Sequence, residues 1–381
     1  MFEFEQGPIR PPSEAKSLLI RATRNCPWNR CEFCHTYKGE KFHVRSIDEI
    51  KADVQKARDI ADEIRQLSWR NGCGGEVNDE LIRAIFDSYA RYGESYRSVA
   101  SWLYFGGTQA FIQDANSLQM KTEDLVEVLT FLKERFPQIS RITSYARSKT
   151  LAAKTLKELR ALHKAGLSRI HVGLETGYDP LLKYIRKGVT AREHVDAGRK
   201  VVKSGISLCG YVMPGLGGKR WTREHAIETA RVLNQINPHY IRLRTLYVRS
   251  DMALHQKVQT GEMELLDDDE VVQEIGLFIS HLNGIQSYLA SDHILNLLEE
   301  IEGQFPQDKE KLLATIDRYS ALSVEDRLIF KVGRRAGLYR RLNDLQNGEI
   351  RFRVEQAIER LKKQGSGDIE NTIKSMMANY I

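Results

Sequence analysis

Three of the five cysteines, Cys26, Cys31 and Cys34, fall within one nine-residue run, Cys26-Pro27-Trp28-Asn29-Arg30-Cys31-Glu32-Phe33-Cys34. Five cysteines in 381 residues are too few, and odd in number, for a disulfide framework. Crowded thiols instead suggest a metal centre in a reducing compartment. Two donor chemistries fit. Three thiolates can hold a four-iron cluster and leave one iron free for a non-protein ligand, which makes an open, reactive site. With His35 the same thiolates form a Cys3His set for structural zinc, although such sites usually come as two separated ligand pairs and no second pair follows this loop.

The elements that must position these thiols can be read from periodicity. Short apolar or β-branched runs predict strands near 17–23, 109–114, 139–145, 168–174, 206–213 and 240–247, and helical patterns separate them from the second strand onward. That alternation is the pattern of βα units around a parallel sheet. Ser46 with Glu49 and Thr190 with Glu193 have capping-box spacing, Gly166 and Gly205 stand where helix C-caps belong, and Asn237-Pro238 stops another helix. Residues 47–105 read as two or three inserted helices. Beyond residue 250 the β signal fades and helical patterns continue to the end. The expected organisation is an N-terminal extension over 1–16, a barrel over 17–250 and a helical region over 251–381. The thiols then occupy the loop at the C-terminal end of the first strand.

The composition, 41% hydrophobic and 28% charged, is that of a globular chain, and no apolar run approaches the ~18 residues of a spanning helix. A cytoplasmic location and no membrane partner are expected. The net charge of +6 hides an uneven distribution: residues 136–203 carry 15 basic and 5 acidic groups, whereas 262–310 carry 1 and 13. Solvated helix faces are the plain reading of such runs. A docking face for an acidic electron carrier or a phosphate-bearing substrate is the sharper one. Nucleic acid finds no support in aromatics interleaved with basic runs.

With its Cys-x-x-x-x-Cys-x-Phe-Cys loop after the first strand, the chain resembles the radical S-adenosylmethionine (SAM) superfamily, near the anaerobic coproporphyrinogen oxidase and methylthiotransferase branch. The likeness covers about residues 15–250. One departure is that four residues, not three, separate Cys26 from Cys31. The resemblance implies a partial (β/α)6 TIM-like barrel and a 4Fe-4S cluster on Cys26, Cys31 and Cys34, with SAM chelating the fourth iron. Reductive cleavage of SAM to methionine and a 5′-deoxyadenosyl radical would then abstract hydrogen from a substrate that the sequence does not name. A flavodoxin or ferredoxin-type donor is the implied electron source.

Strand ends are where a parallel barrel gathers its active site. By resemblance Asp114 and Asn116 occupy the place of the superfamily's Gly-Gly-Glu motif, while Gly106-Gly107 reads as a helix-to-strand turn. Ser144 and Arg147 end the third strand, and Arg147 suits the methionine carboxylate. Gly173-Leu174-Glu175-Thr176-Gly177 resembles the Gly-x-Glu-x-Gly motif that contacts SAM, and Lys187 the basic position that follows it. Met213 and Gly215 open the glycine-rich loop expected beside adenine, and Arg244 is read as pointing inward from the sixth strand. Asp292 and His293, ahead of an expected helix over 294–302, form a candidate acid–base pair for substrate. A zinc-stabilised binding protein and an RNA-modifying radical enzyme are the alternatives. The absence of later cysteine groups argues against an auxiliary cluster.

Overall fold

The structure, a computed structural model, describes residues 3–88, 92–363 and 377. In chain order it forms β1 (Leu18–Arg21), β2 (Thr23–Arg24), β3 (His43–Val44), α1 (Ile47–Arg70), α2 (Asp79–Asp87), α3 (Glu94–Tyr104), β4 (Gln109–Gln113), α4 (Thr122–Arg135), β5 (Arg141–Ala146), α5 (Ser148–Ala153), α6 (Leu156–Lys164) and β6 (Leu167–Glu175). There follow α7 (Asp179–Tyr184), α8 (Ala191–Lys203), β7 (Ser207–Val212), α9 (Gly218–Ile236), β8 (Tyr240–Leu243), α10 (Ala253–Gln259), α11 (Asp268–His281), β9 (Tyr288–Ala290), β10 (Gly303–Gln304), α12 (Lys309–Ser320), α13 (Val324–Arg335) and α14 (Gly348–Lys363). Two compact units divide the chain: residues 1–29, 37–172 and 196–208, and residues 30–36, 173–195 and 209–381.

In the first unit β1, β4, β5 and the start of β6 pair in parallel, with Ile20 opposite Ile112 and Ser144 opposite Ile170. Their apolar residues are buried because helices cover the sheet, as a parallel sheet requires. Among its described residues the inserted segment forms three helices. The longest, α1, buries Ile50, Val54, Ala57, Ile60, Ala61 and Ile64 at helical spacing against α3 and α4, about 1.5–3 kcal/mol for each large side chain. The predicted Ser46–Glu49 capping box starts it. The expected turn at Gly106 and Gly107 is also present, both residues at positive φ between α3 and β4. Residues 3–16 brace the approach to the cysteine loop. Glu5 pairs with Arg24 at 2.6 Å and Arg21 at 3.0 Å, while fully buried Glu14 accepts from Ser17 and meets Arg141 and His171.

In the second unit β7, β8 and β9 run parallel and β10 is antiparallel to β9. Two expectations need correction. The region beyond 250 is not helical throughout, because β9 and β10 add to the sheet where only helical patterns were read. Nor do residues 294–302 form a helix. The side chain of buried Asn296 accepts from Thr245 N and donates to Leu243 O, which pins this segment to the end of β8. Arg335 takes the Ile294 and Leu295 carbonyls that a helix would need for its own ladder. The acidic run is partly answered by α13 and its neighbours. Asp268 pairs with Arg335, Asp269 with Lys331, Glu299 with Arg334 and Arg340, and Glu300 with Arg318.

Candidate active site

The cysteine loop is built from left-handed turns and an apolar wall. Asn25 and Asn29 have positive φ, a conformation asparagine tolerates better than most residues. Arg147 stacks over Trp28 at 5.1 Å in the first unit. In the second unit Phe33 is buried among Leu181, Ile185, Met213, Leu216, Leu254 and Met263, with Cys31 and Cys34 packed against that group. Glu32 ties this half of the loop down from both sides: its N–H donates to Ile185 O, its carbonyl accepts from Leu254 N, and its carboxylate meets Lys257 at 2.9 Å.

None of the five cysteines is in a disulfide, and Cys26, Cys31 and Cys34 are each partly exposed. Among the described residues no three cysteine, histidine or acidic side chains are already drawn together as a metal group. The fit of a cluster therefore rests on donor chemistry. Three soft sulfur donors from one short loop, with no disulfide to occupy them, suit iron–sulfur ligation. His35, the fourth ligand a zinc set would need, has Nδ1 3.6 Å from the Asp251 carboxylate.

The Gly-x-Glu-x-Gly segment is the most constrained part of the second unit. Glu175 ends β6 at φ 65°, in the left-handed region that a non-glycine residue enters at a cost of about 1–3 kcal/mol. Its carboxylate is mostly buried and accepts from Lys187 Nζ at 2.9 Å. Lys187 in turn lies 5.3 Å over the ring of Phe33. Both glycines have a steric reason. A Cβ on Gly173 would run into the Glu175 carboxylate, and one on Gly177 would stand 2.8 Å from Thr229 Cα of α9. Glu175, Lys187 and the aromatic residue of the cysteine loop are thus brought together.

At the ends of β4 and β5 the expected residues have partners within the protein. Asp114 is fully buried, and its two oxygens go to Arg21, at 2.7 Å, and to the Tyr37 hydroxyl. Both oxygens of its side chain thus have partners within the protein. Burial raises its pKa, and the Tyr37 and Arg21 bonds oppose that rise. Asn116 is also buried: it donates to Thr150 and accepts from Arg147 N, so it places Arg147 instead of a ligand. The Ser144 hydroxyl donates to Ile112 O at 3.0 Å and is likewise internal.

The later strand ends are likewise bonded within the protein. Met213 joins the wall around Phe33, and its N–H donates to Glu175 O. Gly215 has φ 83°, but its N–H donates to Glu274 Oε1 at 2.7 Å, so that group is not free for adenine. Past Leu243 the backbone keeps its parallel bonding to the β7 side, with Arg244 N donating to Val212 O and Leu246 N to Pro214 O. Arg244 follows β8 and is exposed, and its charge acts on both His35 of the cysteine loop and His293. Arg242 meets Asp292 at 2.6 Å. Asp292 and His293 sit just past the C-terminal end of β9, an active-site position in a parallel sheet, and not ahead of a helix. Thr176 lies inside the Gly-x-Glu-x-Gly motif, whereas no local pattern marks His225 and Glu274.

His293 also carries a pH signature. Burial, then the Arg244 charge, pushes its pKa down to about 4 from an ordinary 6.5, against the pull of Asp292. The folded protein therefore holds a neutral imidazole at neutral pH, while the unfolded chain takes up a proton as pH falls through 6.5. Stability is full above about pH 6.5 and is lost between there and 4, by roughly 2 kcal/mol after allowance for partial exposure. Urea titrations of His293→Gln are expected to show a flatter profile across that window than the wild type.

The family model described as "Radical SAM superfamily" matches residues 20–233, more than half of the chain. The chain belongs to the radical SAM superfamily. Its alternation of parallel strands with helices agrees with the TIM-like fold of that superfamily, whose members use a 4Fe-4S cluster and SAM. Curated relatives match shorter stretches. An uncharacterized protein of Methanocaldococcus jannaschii is 25% identical over 114 residues, 30% of this chain and 35% of that protein. The uncharacterized protein YtqA of Bacillus subtilis is 22% identical over 199 residues, 52% and 59% respectively. The chain thus spans between a third and three fifths of these relatives' lengths. Among solved structures it is similar to the cobalamin-dependent radical SAM enzyme OxsB (12% identity, TM-score 0.46, covering 97% of this chain and 59% of that one). It is also similar to coproporphyrinogen III oxidase HemN from Escherichia coli (14%, 0.41, 68% and 50%). No helix among the described residues is long and apolar enough to cross a membrane.

Proposed function

We propose that this radical SAM chain is an enzyme that cleaves SAM reductively and passes the resulting radical to a substrate bound past the ends of β8 and β9. The Glu175–Lys187–Phe33 arrangement carries the reading, because within one unit it joins the motif's carboxylate to the aromatic residue of the cysteine loop. Cys26, Cys31 and Cys34 would hold the 4Fe-4S cluster. When bound, that group supplies the electron that breaks a carbon–sulfur bond of SAM, giving methionine and a 5′-deoxyadenosyl radical.

The chain's own residues orient and exclude. Lys187 holds the Glu175 carboxylate in place, with acceptor capacity left for the ribose hydroxyls or the ammonium of SAM. Arg147, set by Asn116 and stacked on Trp28, would direct its guanidinium to the SAM carboxylate. Met213, Leu216 and Phe33 keep water from the second-unit side of the loop. Asp292, held by Arg242, and neutral His293 suit proton transfer to or from substrate, with Arg244 as a nearby cation. A flavodoxin or ferredoxin-type donor would supply electrons, in a cytoplasmic setting that keeps the thiols reduced.

Protein reconstituted without oxygen and given dithionite and SAM is expected to release 5′-deoxyadenosine. Lys187→Met is expected to raise the KM for SAM by about tenfold, or 1.4 kcal/mol, through loss of the charge that orients Glu175. Four irons per chain with no 5′-deoxyadenosine would leave a cluster-binding protein without this activity.

A further inference from the structure

Behind the Glu175 turn lies a buried polar network that composition and spacing do not reveal. His225 of α9 is 1% exposed, Glu274 of α11 is 4% exposed and Thr176 is fully buried. His225 Nε2 lies 3.1 Å from the Met213 carbonyl, which can only accept, so Nε2 carries the proton. Nδ1 lies in hydrogen-bond reach of the Thr176 hydroxyl at 2.8 Å. The Thr176 oxygen accepts in turn from Tyr178 N at 3.1 Å, and Thr229 Oγ1 accepts from Gly177 N at 2.9 Å. One imidazole therefore spans the turn that follows Glu175 and the turn that begins at Met213.

Glu274 completes the second of these turns. One carboxylate oxygen accepts from Gly215 N at 2.7 Å and the other from the Thr222 hydroxyl at 2.6 Å, with the first also 3.6 Å from His225 Nε2. Gly215 at φ 83° and Glu175 at φ 65° are the two left-handed residues fixed by this arrangement. A non-glycine residue such as Glu175 stays in the left-handed region only when its surroundings over-determine it, and these bonds contribute to that. A buried carboxylate and imidazole are also costly unless fully bonded, and a wholly apolar packing of α9 against α11 would avoid that cost.

We infer that His225 and Glu274 are positioning residues for the nucleoside end of SAM, holding the Glu175–Gly177 and Met213–Gly215 turns in one fixed relation. The inference rests on the proposed role of Glu175 in holding SAM. Neither side chain touches the ligand; both act through the turns they bind.

Calorimetric titration of the reconstituted protein with S-adenosylhomocysteine tests this. His225→Phe fills the imidazole's space without its bonds and is expected to raise Kd about tenfold or more. The KM for SAM should rise in parallel, while kcat stays within about threefold and iron content is unchanged. Glu274→Gln keeps one acceptor oxygen, so about a threefold rise is expected, and it provides the test on its own if His225→Phe does not fold. A lowered Tm with Kd within twofold of wild type in both variants, or in Glu274→Gln alone if only it folds, would make the network merely structural and overturn the inference. Glu175→Gln separates the two levels. If it binds as wild type does, the SAM-site reading falls; if it weakens binding and the network variants do not, only this inference falls.

Discussion

Cys31→Ala is expected to purify as a folded, colourless protein in which 5′-deoxyadenosine formation falls by at least about three orders of magnitude, some 4 kcal/mol of barrier. The size of the effect follows from the division of labour at the site. The bound group carries the difficult electron transfer, and the protein contributes orientation and a dry wall, so losing a ligand removes chemistry that no neighbouring side chain can replace. Folding should survive, because Cys31 is only partly buried and leans on a wall whose main members are Phe33, Leu181 and Ile185. Unfolding free energy within about 1 kcal/mol of wild type is the expected companion result, by urea titration of the apo-proteins. Retention of brown colour and activity would mean that Cys31 is not a ligand.

The second large effect concerns stability. Arg335 of α13 is almost wholly buried; it meets Asp268 at 2.7 Å and donates to the carbonyls of Leu295, at 2.9 Å, and Ile294, at 3.3 Å. Arg335→Met keeps the volume and strands a carboxylate and two carbonyls. A loss of about 3–5 kcal/mol is expected, the usual result of removing one partner of a buried ion pair. Arg335→Met with Asp268→Leu should recover part of the loss, since the stranded charge goes with its partner. The two carbonyls directly follow His293, so proteolysis within 291–302 should also quicken in the single variant. Loss below about 1 kcal/mol would show that the pair does not anchor this segment.

Much of the site was legible because it is local. The cysteine loop, the strands before the Gly-x-Glu-x-Gly and Met213–Gly215 segments, and the capping boxes of α1 and α8 all declare themselves within a few residues. What stayed hidden depends on partners far along the chain. Asp114 looked available until Arg21 and Tyr37, 93 and 77 residues away, took both its oxygens. Gly215 N seemed open to a ligand, yet Glu274 claims it from 59 residues downstream. Strand β9 is three residues long, too short to give a period, and Asn296 and Arg335 overrode the helical pattern that follows it. The acidic run likewise read as surface, whereas α13 answers several of its charges.

Electron paramagnetic resonance of the anaerobically reconstituted, dithionite-reduced protein tests the central claim most directly. A signal from one reduced four-iron cluster per chain is expected, and its g-values should shift when SAM is added, because a three-cysteine cluster keeps one iron open to that ligand. A colourless, zinc-containing protein that stays silent on reduction and is indifferent to SAM would contradict the account.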